Sequence, residues 1–163
     1  MSGADAAARQ QIVALLKRGQ AHMTFEEAVA DFPPERINDA PPNVGYSPWH
    51  LLEHIRLTQR DILDFIREAQ YTARSWPADY WPAPADRADG AAWERTIAAF
   101  LADRAALEAI VVDPEVDLLA PLRWGDPYTV MREILLVADH TAYHTGEFAI
   151  LRQVMGTWPA GRT

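Results

Sequence analysis

The chain has 163 residues, 49% of them hydrophobic, with a net charge of −8 and a pI near 5.0. That length suits one domain, residues 1–163, with a sizeable core, and the acidic balance argues against a nucleic-acid binder, which normally carries a basic patch or stripe. The absence of cysteine excludes disulfides, cysteine-bound zinc and iron–sulfur clusters. No apolar run approaches the ~20 residues of a membrane span, and the alanine-rich start lacks a signal-peptide pattern, so a cytoplasmic protein is expected.

Residues 4–30 read as a first helix, with Ile12, Leu15, Leu16, Gly19, Met23 and Ala30 on one face. Gly19 within that stripe suggests close approach of a neighbouring helix, and His22 sits at its boundary, away from any ligand position. Residues 31–47 form a loop, because Pro33-Pro34 and Pro41-Pro42 forbid a continuing helix. A loop of this length in a small domain is often functional, and it runs directly into the next helix as one wall of a pocket. That second helix starts at Ser47-Pro48, a capping residue followed by the favoured first helical residue, and extends to about Ala69. Leu51, Ile55, Ile62, Phe65 and Ile66 define its buried face. His54 lies about 60° from Leu51, inside the apolar arc, and His50 about 100° away, at its edge. An unpartnered polar group in that arc is costly, so His54 requires an ion, a carboxylate or a backbone carbonyl.

Residues 71–89 form a loop in which Trp76-Pro77, Tyr80-Trp81-Pro82 and Pro84 combine aromatics with helix breakers. These aromatics are expected over the bundle or at a subunit contact. A third helix, capped by Asp89, covers about 91–112 with Trp93, Ile97, Phe100, Leu101, Leu107 and Val111 as its stripe. A further loop to Pro127 includes Trp124-Gly125-Asp126. The fourth helix runs from about Tyr128 to Met155, stopped by Gly156 and Pro159. The absence of a convincing strand makes the fold class all-α, a four-helix bundle with long proline-rich connections.

The fourth helix carries His140-Thr141-Ala142-Tyr143-His144-Thr145-Gly146-Glu147. With His140 at zero, His144 falls near +40° and Glu147 near −20°, all on one side at about 100° per residue. Leu136, Val137, Tyr143, Phe148, Leu151, Val154 and Met155 share that broad side, which is therefore expected to face inward. Two imidazoles one turn apart can hold a single ion, and a bundle core is a usual place for ligands from facing helices. His54, His140 and His144 give three neutral nitrogens and leave a position open for water or substrate. Imidazole suits zinc, nickel, copper or iron. Such an ion acts on water, a carbonyl or the sulfur of a small-molecule thiol. Glu147 is open to three roles: acceptor for an imidazole N–H, general base or fourth ligand. Tyr143 is a candidate hydrogen-bond donor into the pocket or a core residue. Glu133 projects toward the same face two turns earlier, and Arg132 and Arg152 read as surface or interface residues.

These motifs, in this order, resemble the DinB/YfiT-like superfamily. The resemblance rests on Ser47-Pro48-Trp49-His50-Leu51-Leu52-Glu53-His54-Ile55, Tyr80-Trp81-Pro82, Trp93, Thr129-Val130-Met131-Arg132-Glu133 and the His140 to Glu147 stretch. It spans nearly the whole chain. It implies a metal-binding four-helix bundle with His54, His140 and His144 as ligands to zinc or nickel, commonly a homodimer. Its characterised members include metal-dependent transferases that use a low-molecular-weight thiol. Glu147 departs from the glutamine common at that position, and His50 is an additional candidate for the pocket. The expectations are therefore a metal-dependent thiol S-transferase or hydrolase acting on a small molecule, with Glu147 and Tyr143 as catalytic candidates, or else a non-catalytic metal-dependent binding module.

Overall fold

The structure, a computed structural model, describes residues 2–122 and 127–161. Those residues are all-helical: α1 (Gly3–Lys17), α2 (Phe25–Val29), α3 (Pro48–Arg67), α4 (Gly90–Val112) and α5 (Val130–Met155), with single 3-10 turns at Pro34–Arg36 and Ala78–Tyr80. No strand occurs among them; Pro121 and Thr129 form one isolated bridge. Trp124-Gly125-Asp126 of the expected loop lies outside the described residues. α3 packs on α4 and on α5, and α1 closes against the same two helices, so the four long helices surround a shared interior. None of these helices is long and apolar enough to cross a membrane.

The long helices begin and end where short-range chemistry dictates. Ser47, Asp89 and Thr129 each accept a backbone N–H from the first turn of α3, α4 and α5, satisfying donors that a helix start leaves open. Gly156 ends α5 in the left-handed conformation at φ 64°, which costs glycine nothing.

The first helix is shorter than its periodicity predicts. α1 stops at Lys17, and the chain turns at Gly19, whose carbonyl accepts the His22 N–H at 2.6 Å. A Cβ at Gly19 would lie 1.8 Å from the His22 carbonyl oxygen, so this glycine serves its own turn and not a neighbouring helix. Thr24 and Glu27 then form a reciprocal capping box that starts α2. Local turn and capping chemistry override an apolar spacing that continues through the break.

Arg152 also departs from expectation. It is wholly buried, and its guanidinium donates to the carbonyls of Ala28 at 2.8 Å, Ala30 at 2.6 Å and Thr157 at 2.8 Å. It thereby holds the end of α2 against α5. Arg9 does the same for the end of α4, donating to the carbonyls of Val111, Asp113 and Val116.

The core has two parts. An aliphatic part gathers Ile12, Leu16, Ile62, Leu107, Val111 and Ile134, among others. An aromatic part gathers Phe25, Phe32, Trp93, Phe100 and Phe148 with Leu51, Leu52 and Ile55. His54 and His144 belong by sequence to the aromatic part, next to Ile55 and four residues before Phe148.

Candidate metal centre

The histidines converge because two helices point them at each other. His54 projects from the second turn of α3, and His140 and His144 from successive turns of α5. The Nε2 of His54 lies 3.2 Å from the Nε2 of His144 and 3.2 Å from the Nε2 of His140. Tetrahedral zinc with Zn–N bonds of about 2.0–2.1 Å sets its ligand nitrogens about 3.3–3.4 Å apart, so the spacing fits one small transition ion. Among the described residues these three form the group of side chains able to hold a metal ion.

Hydrogen bonds on the far side of two rings set which nitrogen faces inward. His54 Nδ1–H donates to the Tyr80 carbonyl at 2.8 Å. His144 Nδ1–H donates to Glu147 Oε2 at 2.5 Å. In the neutral rings, both Nε2 atoms then present lone pairs to each other. Two acceptors 3.2 Å apart repel unless something positive lies between them. Burial pulls the His140 pKa down to about 3, with His144 and His54 adding to the shift. Burial lowers that of His54 too, against an opposing effect of its bond to Tyr80. These two rings therefore resist carrying the positive charge themselves.

Around the triad stands a second layer. The bond from His144 holds the Glu147 carboxyl below its ordinary pKa, opposed by burial and assisted by Tyr46. The Tyr46 hydroxyl donates to Glu147 Oε1; burial and then this carboxylate push its pKa up, so it remains a donor. Trp81 lies flat on His54, with centroids 4.0 Å apart and planes 5° from parallel, and stands 5.2 Å from Tyr46.

The structure thus brings His54, His140, His144 and Glu147 together. Tyr143 lies on the outer side of α5, 71% exposed, with its ring edge-on to His144 at 4.8 Å; it is neither inward-facing nor a core residue. Val154 is likewise exposed. His50 stands apart from the triad. Its Nδ1 accepts from the Ser47 hydroxyl at 2.6 Å, and its Nε2–H donates to the Ala83 carbonyl at 3.1 Å, so it completes a capping box. His22 is exposed beside the Met23 carbonyl. Glu133 is buried against Arg132 at 2.7 Å, away from the histidines.

Tyr46, Tyr80 and Trp81 surround the site without a spacing signal of their own. The signals available were position and composition: Tyr46 directly precedes the cap of the histidine helix, and Tyr80-Trp81 lies in an aromatic loop that had to pack somewhere.

Fold and site together define a helical bundle with a three-histidine cluster able to hold a metal ion. The family model described as mycothiol-S-transferase matches residues 12–156. The chain belongs to this DinB/YfiT-like family, whose description implies a low-molecular-weight thiol as substrate. No curated protein and no solved structure matches the chain.

Proposed function

We propose that this protein is a metal-dependent thiol S-transferase, with His54, His140 and His144 holding a divalent transition ion, zinc or nickel. The observation that carries this reading is the convergence of Nε2 atoms at 3.2 Å, with the opposite nitrogens of His54 and His144 committed to acceptors. The chain has no thiol of its own, so the sulfur belongs to a substrate, in keeping with the family. A bound ion would lower the pKa of that thiol so that its proton passes to solvent near neutral pH, and the thiolate would then form a bond to carbon in a small electrophile as a leaving group departs from that carbon.

The protein's own groups orient and enclose. Glu147 holds the Nδ1 proton of His144 with one oxygen and accepts from Tyr46 with the other, which favours an orienting role over that of base or ligand. Trp81 covers one face of His54 and keeps water from it. Tyr143, exposed beside His144, is placed to meet an incoming molecule. Leu135, Ile150 and Val154 are exposed along one side of α5, apolar side chains that suit a homodimer contact. Replacing Ile150 with arginine should shift a dimer to monomer in sedimentation equilibrium; an unchanged mass would remove α5 from that contact.

The deciding experiment is elemental analysis of untagged protein beside His54→Ala, followed by turnover with and without a low-molecular-weight thiol. About one equivalent of metal, lost in the variant, with thiol-dependent turnover, supports the proposal. Metal without turnover makes the protein a binding module, turnover without thiol a hydrolase. No metal after reconstitution with zinc and nickel ends the reading.

A further inference from the structure

The loop that follows α3 folds back along that helix, and one buried carboxylate gathers it. Asp61 accepts the Tyr71 hydroxyl at 2.7 Å on Oδ1 and the Tyr80 hydroxyl at 2.6 Å on Oδ2. Arg74 Nε stands 3.2 Å from the same Oδ1.

Asp61 lies seven residues after His54. At 1.5 Å per residue the two are about 10.5 Å apart along the axis and, after two turns, on one face of the helix. Tyr80 spans that interval. Its phenol reaches Asp61 while its backbone carbonyl accepts from His54 Nδ1 at 2.8 Å. The next residue, Trp81, stacks on the His54 ring. One residue therefore links a carboxylate remote from the triad to the atom that sets the tautomer of His54.

We propose that Asp61 is a positioning residue for the metal centre: by anchoring the Tyr80 side chain it seats the Tyr80 carbonyl and the Trp81 ring on His54, and so directs the Nε2 lone pair toward His140 and His144. The proposal rests on the reading of the triad as a metal site. A merely structural cluster would stabilise the loop without this directional effect. Tyr71 supplies the control, because its hydroxyl binds the same carboxylate but its backbone is remote from His54 in the hydrogen-bond pattern.

The test compares Asp61→Ala, Tyr80→Phe and Tyr71→Phe with the unaltered protein. One readout is zinc affinity by chelator competition. The other, on metal-free protein, is the NMR signal of the His54 Nδ1 proton, protected from exchange by its carbonyl. Asp61→Ala and Tyr80→Phe should weaken zinc binding about tenfold, the lower range for loss of a group supporting a ligand, and should lose the protected proton. Tyr71→Phe should keep both, even if its Tm falls. The proposal is overturned if Tyr80→Phe retains the proton and full affinity, or if Tyr71→Phe loses as much as Tyr80→Phe. If the unaltered protein binds no zinc or nickel, the metal reading fails. Loss of the proton in Tyr80→Phe alone would then still establish the anchoring of His54.

Discussion

The aliphatic part of the core comes almost wholly from long helices packing on one another, with Leu118 added from the α4–α5 connection, whereas the aromatic part adds loops and a short helix to the residues its long helices supply. Ile12, Leu16, Ile62, Leu107, Val111, Ile134 and Val137 all come from α1, α3, α4 and α5. Phe25, Phe32, Ile37 and Ala88, by contrast, come from α2 and the two connections on either side of α3. The first part rests mainly on shape and area, which side chains at helical spacing supply, with Arg9 serving the carbonyls at the end of α4. The second must also satisfy the polar backbone of the loops it uses. It does so with the wholly buried Arg152 for the end of α2, and with the half-buried Asn38, which exchanges two hydrogen bonds with the backbone of Ala88. The histidine cluster sits in this second part, where loops can present carbonyls and hydroxyls to imidazoles. The contrast is between a region that supplies stability and a region where stability and chemistry share the same residues.

The sharpest way to break that contrast is Leu107→Ala, at a fully buried position of the aliphatic part. It should cost about 3–4 kcal/mol in urea unfolding, within the range for buried leucine truncations, yet leave metal content per folded molecule unchanged. A parallel fall in metal affinity would show that the two parts act as one unit. Arg152→Met comes next. It leaves the carbonyls of Ala28, Ala30 and Thr157 without their guanidinium donor and should cost about 2–3 kcal/mol. Hydrogen exchange should locate the loosening in α2; a uniform loss of protection would contradict the local role assigned here.

Legibility in the sequence follows the same division. The long helices were readable because apolar spacing, Ser47-Pro48, Asp89 and Gly156 all point the same way at their ends. The triad was readable because its three members lie at helical spacing on two such helices. The break after Lys17 was not, since Ile12, Leu16 and Met23 keep a helical rhythm across it while Gly19 and the Thr24–Glu27 box end one helix and start another. The burial of Arg152, expected at the surface or an interface, was not legible because the Ala28 and Ala30 carbonyls it serves lie more than 120 residues away in sequence. Tyr46 and Tyr80 were missed as neighbours of the site for the same reason. Each acts through a loop whose path depends on tertiary contacts, and for Tyr80 the acting group is a backbone carbonyl that residue type does not reveal.

Within the loop-built part, Glu147→Gln isolates the orienting role of the carboxylate. Glutamine keeps one acceptor oxygen, for either His144 Nδ1–H or Tyr46, turns an NH2 donor to the other and removes the charge. Metal should remain, with affinity lowered about tenfold, and the change should appear mainly as faster metal dissociation. Complete loss of metal would instead make Glu147 a ligand.

The smallest effect expected is a dependence of stability on pH, confined to the same part. His140 and His54 both have folded pKa values below the ordinary 6.5 of imidazole, His140 at about 3, chiefly through burial. Between about 3 and 6.5 the unfolded chain therefore binds more protons than the folded one, and stability rises with pH across that window. The contribution is fully present above about pH 6.5 and declines as pH falls toward 3. Partial exposure of His140 lets solvent screen the charge, which keeps the slope modest. Urea midpoints of metal-free protein across this window should fall on acidification, and His140→Gln should flatten the decline while Leu107→Ala lowers the midpoint at every pH without changing the slope. Added zinc should steepen the acid limb, because protonating the triad then also expels the ion. An equal slope in protein and His140→Gln would place the acid sensitivity outside the histidine cluster.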